Sequence, residues 1–450
     1  MGKTDRPGGD SKGWRALVAR VFDVEAQEVE PLALGLTMFF LLFAAYFMLR
    51  PVRETMGIAG GVQNLQWLFT GTFVVTLAAM PAFGWLAARV ERRRVLAWTM
   101  GFFASNLASF ALGFLLIPND PWLARTFYIW LSMFSLLSVS VAWSVMADLF
   151  RIAEAKRLFA LVAVGASVGG LAGPLLGVAL VGPIGHAGLL LLSAVLLIGT
   201  ILAAWRLQRW RDRHPLGADE TRARGRPLGG SPFAGATQVL RSPFLLGIAV
   251  FVLLLAASTT FLYFEQARLV EATFPNRVDQ TRVFGIIDAI VQSLAIVTQL
   301  FATGRIAQRL GVGVLLVAVP LVVACGFVWL AFAPTFAVLA VVMIARRAGE
   351  YAFVRPGREM LFTVVPAAAK YKAKNFIDTV VYRGSDALSA WVKATIGMLA
   401  HQPAVAAIVG AAIALIWAAT GAWLTRTQRK LDDSAPAAVA EVGPPGTAGA

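Results

Sequence analysis

"PLALGLTMFFLLFAAYFMLRPVRETM", residues 31–56, decides the fold. From Pro31 to Leu49 it carries no charge, and about 20 apolar residues are what an α-helix needs to cross the hydrocarbon core of a bilayer. The run does not alternate as a strand would, and a helix satisfies every backbone group inside lipid. Runs of the same kind recur along the chain. The pattern predicts about twelve spans, at 31–55, 64–88, 94–117, 121–148, 157–182, 186–207, 243–266, 282–305, 311–333, 334–359, 374–400 and 404–426, and so an all-α membrane protein.

Composition agrees. Of 450 residues, 58% are hydrophobic and 14% charged, with a mean hydropathy of +0.70, whereas a soluble domain is about a quarter charged. The net charge of +15 is spread over short clusters between apolar runs, which excludes a nucleic-acid-binding face and reads as a topology signal. "RVERRR" (89–94), "RIAEAKR" (151–157), the loop with Arg209, Arg211, Arg213, Arg222, Arg224 and Arg226, "KYKAK" (370–374) and "RTQRK" (426–430) all fall on one side of a twelve-span chain. The positive-inside rule makes that side cytoplasmic, with both termini there. Cys325 is alone, so no internal disulfide forms.

The expected organisation is a cytoplasmic N-terminal segment at 1–30 without a cleavable signal, and a six-helix bundle at 31–207. A polar linker at 208–241, a second six-helix bundle at 242–426 and a disordered tail at 427–450 follow. The halves echo each other weakly, as "GWLAARVERRRVL" (84–96) and "GRIAQRLGVGVLL" (304–316) show. Two such repeats joined by a cytoplasmic loop resemble the major facilitator superfamily, whose halves rock around a central site.

Charges inside spans cost about 2.5–3.5 kcal/mol each at the bilayer centre, so they need a partner or a wet cavity. "YFMLRPVRETM" (46–56) and "FVRPGREML" (353–361) each end an apolar run with R-P-x-R-E. Guanidinium forks suit carboxylate and phosphate, and the glutamate of each word can hold them when the substrate is absent. The candidate substrate-binding residues are Arg50, Arg53 and Glu54 on the first span, and Arg346, Arg347, Glu350, Tyr351, Arg355, Arg358 and Glu359 on the tenth. At a helical period Arg347, Tyr351, Arg355 and Arg358 share one face, and Arg346 with Glu350 makes an i, i+4 pair. Asp378, Tyr382, Asp386, Ser389 and Lys393 form a second polar stripe on the eleventh span, and Asp288, Gln292 and Gln299 a third on the eighth. Asp288, Asp378 or Asp386 is a candidate for proton or ion coupling. The bland readings are interhelical bonding and arginines snorkelling to headgroups. Gly165, Gly169, Gly173 and Gly177 on the fifth span make a small-residue face for close packing. Its G-x-x-x-G-P-x-x-G part also resembles the motif of facilitator antiporters.

"YFMLRPVRETM" and "RAGEYAFVRPGREMLFTVVPAAAKYKAKNFIDTVVYRGSDAL" (347–388) resemble the ATP/ADP translocase family of nucleotide transporters. "PGRE" and "KAKNFID" stand where that family has P-x-K-E and K-x-K-x-x-I-D elements. The resemblance implies that Arg53 and Arg358 take the place of its substrate-contacting lysines.

An enzyme is excluded on motifs. His186, His214 and His401 are scattered, no H-E-x-x-H or G-x-S-x-G occurs, and "MGKT" lacks the upstream glycine of a phosphate-binding loop. No catalytic residue, cofactor or metal is expected. The expectation is a monomeric, multi-pass transporter in the bacterial inner membrane, moving a small anionic solute, a nucleotide or another phosphorylated or carboxylated metabolite, by alternating access, with exchange as one mode. The alternatives are a proton-coupled facilitator of an unrelated small molecule, and a non-transporting sensor or scaffold on the same fold.

Overall fold

The computed structural model describes residues 28–89, 91–150, 152–214, 235–400 and 403–434. The N-terminal segment to residue 27, linker residues 215–234 with Arg222, Arg224 and Arg226, His401 and the tail from 435 lie outside the described residues. Among the described residues every regular element is a helix. In chain order they are α1 (Val29–Ala59), α2 (Leu65–Arg89), α3 (Arg92–Leu116), α4 (Pro121–Leu149), α5 (Ile152–Arg213), α6 (Ala236–Arg241), α7 (Pro243–Thr273) and α8 (Arg277–Thr298). There follow α9 (Gly304–Leu310), α10 (Val312–Phe332), α11 (Phe336–Gly349), α12 (Arg355–Leu361), α13 (Ala367–Phe376), α14 (Tyr382–Ala400) and α15 (Pro403–Ser434).

These elements make about twelve spans. α5 supplies two, because Gly185 adopts φ 66 and breaks it two residues after Pro183. The eighth, tenth and eleventh spans are each two α-helices joined by a π turn, at Gln299–Thr303, Glu350–Val354 and Ile377–Val381. Length and apolarity alone qualify eight helices among the described residues as membrane-crossing, with α5 counted once. The charged helices from Phe336 to Leu361 and from Ala367 to Ala400 are not among them. Exposed side chains fit a lipid surround: Trp67, Trp98, Trp122 and Phe332 all stand outward, as lipid permits and water does not.

The chain forms two compact units, Met1–Gly229 with Phe264–Ile296, and Gly230–Tyr263 with Val297–Ala450. The division thus falls inside α7 and inside α8. In the first unit, a Cβ added at Gly165, Gly169 or Gly173 of α5 would lie under 3 Å from the backbone carbonyl oxygen of Leu36, Phe40 or Ala44 of α1. Only glycine lets two backbones approach so closely, and this is the packing use expected of that face. Aromatic rings fill the space between α3 and α4, where Phe103 meets Phe134 at 4.9 Å and Phe110 meets Phe127 at 5.3 Å. α4 starts sharply because Asp120 accepts from Trp122 N at 2.6 Å and Leu123 N at 3.1 Å, with Pro121 at the first helical position. In the second unit, Gly410 faces the Phe327 ring and Gly421 faces the Leu316 carbonyl, so α10 and α15 close on each other.

Candidate functional site

The tenth span concentrates the charge. Arg346 is 4% exposed and donates to Glu350 Oε2 at 2.9 Å, as the i, i+4 spacing predicts, and to Thr259 Oγ1 of α7 at 2.9 Å. Glu350 also meets Arg355 Nη2 at 3.4 Å through its other oxygen. A π turn bonds i to i+5, and it is this turn, starting at Glu350, that brings position 355 onto the face of 350. The predicted stripe is therefore redistributed. The ionic row is Arg346, Glu350 and Arg355, while Tyr351 lies under the Arg355 guanidinium, 4.4 Å from ring centroid to Cζ. Arg347 is buried beside them and contributes its field to Glu350. Three guanidiniums thus surround one carboxylate inside a membrane span.

The carbonyls of this turn find donors on the eighth span. Gln299 Nε2 donates to Tyr351 O and Thr303 Oγ1 to Ala352 O, both at 2.9 Å. Since Gln299 and Thr303 bound their own π turn, one irregular stretch satisfies the other.

Farther along, Arg358 pairs with Asp378 at 3.1 Å and Lys374 with Glu359 at 2.6 Å. Glu359 was expected to hold an arginine of its own word. It reaches across to the basic start of the eleventh span instead, which leaves Arg358 to Asp378. Asp386 is held by Thr260 Oγ1 at 3.3 Å and Arg383 Nη1 at 3.5 Å. Lys393 is buried.

In the first unit, Arg53 pairs with Glu54 at 3.1 Å and stacks on Tyr128 of α4, Cζ 4.1 Å from the ring centroid. Arg50 reaches Asp288 of α8 at 3.7 Å. The eighth-span stripe is consequently not one surface. Asp288 serves α1, and the Gln292 side chain lies where a Cβ on Gly170 of α5 would be, while Gln299 serves the tenth span.

Sequence reading missed Thr259, Thr260, Thr303 and Tyr128. Hydroxyls on apolar helices are common and usually bond their own i−4 carbonyl, so the threonines gave no signal. Tyr128 is one of six tyrosines in the chain, and that rarity was the available cue. A cleft of about 360 Å³ in the first unit is lined by Ile58, Ala59, Gly61, Glu271, Pro275, Arg277 and Gln280. None of the predicted residues lines it.

A family model described as Major Facilitator Superfamily matches residues 32–349. No curated protein matches the chain. Among solved structures, a bacterial homologue of the human lysosomal transporter Spinster, in an inward-facing and unoccupied conformation, is 15% identical. The match covers 93% of this chain and 98% of that one at a TM-score of 0.57. A bacterial homologue of the iron transporter ferroportin, inward-facing, is 14% identical over 89% and 98% at 0.60. The human organic anion transporter MFSD10 is 15% identical over 88% and 99% at 0.54.

Proposed function

Because the chain belongs to the major facilitator superfamily, and is a secondary transporter and not an enzyme, we propose that its cargo is an anion. The solute is a nucleotide or another phosphorylated or carboxylated metabolite, carried by alternating access between the bundles 31–207 and 242–426. The carrying observation is the Arg346, Arg347 and Arg355 cluster around the carboxylate of Glu350. Charge is expensive in a span, and guanidinium forks suit carboxylate and phosphate, so a group of them held in one place within a span fits cargo that brings negative charge. Arg355 is the member most available to cargo. Its side chain is 56% exposed and its bond to Glu350 is the longer one, whereas Arg346 is locked between Glu350 and Thr259.

The nucleotide reading rests on the two quoted stretches that resemble the ATP/ADP translocases; Arg53 and Arg358, with their partners Glu54 and Asp378, would be further contacts. Exchange rests on the glycine motif, whose packing against α1 is a sufficient use by itself. Proton coupling is the second reading, favoured by Asp386 lying between a hydroxyl and a guanidinium, where a proton can replace an ion pair. The basic loops support a cytoplasmic inner face in a bacterial inner membrane, with the monomer as the working unit.

The test is uptake of labelled ATP, ADP and simple dicarboxylates into proteoliposomes, with and without internal counter-substrate and with and without a pH gradient. Anion uptake lost in Arg355→Ala supports the reading. Uptake of neutral or cationic solutes only, or anion uptake unchanged in Arg355→Ala, ends it.

A further inference from the structure

The cleft at the end of α1 belongs to none of the arginine sites. Its walls lie within the first unit, where α1 ends at Ala59, Gly61 follows, and Glu271, Pro275, Arg277 and Gln280 carry the chain from α7 into α8. Its volume of about 360 Å³ is in the range of small-molecule sites. In the twelve-span order these turns lie on the face opposite the basic loops.

The walls are tied in place. Gly61 holds φ 97, which glycine adopts without steric cost, and the Gly60 carbonyl accepts from Arg125 Nε of α4 at 2.8 Å. Arg277 donates through Nη1 to Pro118 O at 2.5 Å, and Gln280 through Nε2 to Phe274 O at 2.8 Å. Asn276 starts α8 by accepting from Val278 N at 2.9 Å.

These ties leave a definite electrical pattern. Gln280 is 4% exposed, and with Nε2 engaged its Oε1 has no partner among the described residues. A buried acceptor in that state is costly and asks for a donor. Glu271 stands in the last turn of α7, which holds no basic residue, and there the helix dipole disfavours a carboxylate. The other arginines of this turn are engaged elsewhere, since Arg268 binds Glu265 at 2.8 Å and Arg282 binds Asp279 at 3.6 Å. Among the described residues Glu271 has no ion-pair partner. Two acceptors and a helix C-terminus thus border one cleft, with the Arg277 guanidinium beside them.

We propose that this cleft binds a small zwitterion, a primary ammonium beside a phosphate or carboxylate. The ammonium carries three N–H donors, for Glu271, for Gln280 Oε1 and for water. Arg277 takes the anionic end with the N–H groups that Pro118 O leaves free. A quaternary ammonium has no N–H and leaves Gln280 Oε1 unpaired. A plain anion meets Glu271, and a plain cation meets Arg277. Free amino acids, phosphoethanolamine and aminophospholipid headgroups share the required chemistry. The inference does not depend on the cargo proposed for the tenth span.

The experiment measures equilibrium binding of radiolabelled O-phosphoethanolamine to the full chain in nanodiscs of phosphatidylcholine and phosphatidylglycerol. Saturable binding is expected. Glu271→Gln changes an exposed residue that holds nothing else together, and should weaken it about tenfold. Gln280→Met should weaken it as well, its folding checked by circular dichroism. Unlabelled phosphocholine, which has the phosphate but no N–H, should compete about tenfold less well than unlabelled O-phosphoethanolamine. Since phosphate also suits Arg355, Arg355→Ala is measured too, and should bind as the parent does. With phosphatidylethanolamine replacing phosphatidylcholine in the discs, binding that disappears makes the lipid headgroup the occupant, and binding that persists makes it the free zwitterion. No saturable binding in the phosphatidylcholine discs, equal affinity in the parent and Glu271→Gln, phosphocholine competing equally, or binding lost in Arg355→Ala overturns the proposal.

Discussion

Glu350→Gln removes the charge that three arginines share. Arg346, 4% exposed and 2.9 Å from Glu350, keeps the Thr259 hydroxyl and a neutral amide oxygen. Two unit charges about 4 Å apart at an effective dielectric of about 20 attract by about 4 kcal/mol. The amide retains about 1 kcal/mol of hydrogen bond, and water reaching the exposed Arg355 offsets nothing at Arg346. The expected loss is about 3 kcal/mol, within the range for breaking one side of a buried pair, or about a hundredfold in the unfolding constant. Arg346→Met with Glu350→Leu removes both charges, and such replacements are neutral or stabilising. The assay is SDS titration of purified protein in mixed micelles for the single and double variants, alongside anion uptake. The reasoning predicts that the double variant is more stable than Glu350→Gln, short of the parent by what Arg347 and Arg355 lose with the carboxylate, while uptake stays lost. Glu350→Gln as stable as the parent would refute the buried-pair energetics. A double variant that still takes up anion would refute the site.

Three further outcomes follow from the packing. Gly169→Ala puts a Cβ 2.4 Å from the Phe40 carbonyl oxygen and should destabilise by about 2 kcal/mol, whereas Gly101→Ala, with nothing within 4 Å of the added carbon, should stabilise by about 0.5–1 kcal/mol; the two midpoints in one SDS titration check the contrast. Gly185→Ala meets no neighbour but must hold φ 66 with ψ −177, so strain alone should cost about 1–3 kcal/mol, read from the melting of a fluorescent fusion. Tyr128→Leu takes the aromatic face from Arg53 and should cost about 1–2 kcal/mol, visible in the same titration and absent in an Arg53→Met background.

The spans were legible because a helix must be apolar for the length of the bilayer, and hydropathy records length directly. The glycine face of α5 was legible for a similar reason, since four-residue spacing of the smallest residue has few other uses. Pairing across helices was not. Nothing in "RPGRE" says that Glu359 will choose Lys374, because the choice depends on where the eleventh span begins. The stripe on the tenth span was misplaced by a different cause: a period of 3.6 was applied through Glu350–Val354, where the backbone follows another. Arg346 and Glu350 precede the change and were paired correctly; Arg355 follows it, and of its two neighbours Tyr351 was foreseen and Glu350 was not.

That turn makes chain length itself a variable. It accommodates a surplus residue, so excising any one residue between Glu350 and Val354 would let the ladder close into uninterrupted α-helix. Arg355, five residues after Glu350, would then stand four after it, the spacing that keeps two residues on one face of an α-helix, so the pair would hold and the helix beyond would keep its facing. A deletion that in most helices would turn everything downstream by about 100° is here one that leaves the charged pairing in register.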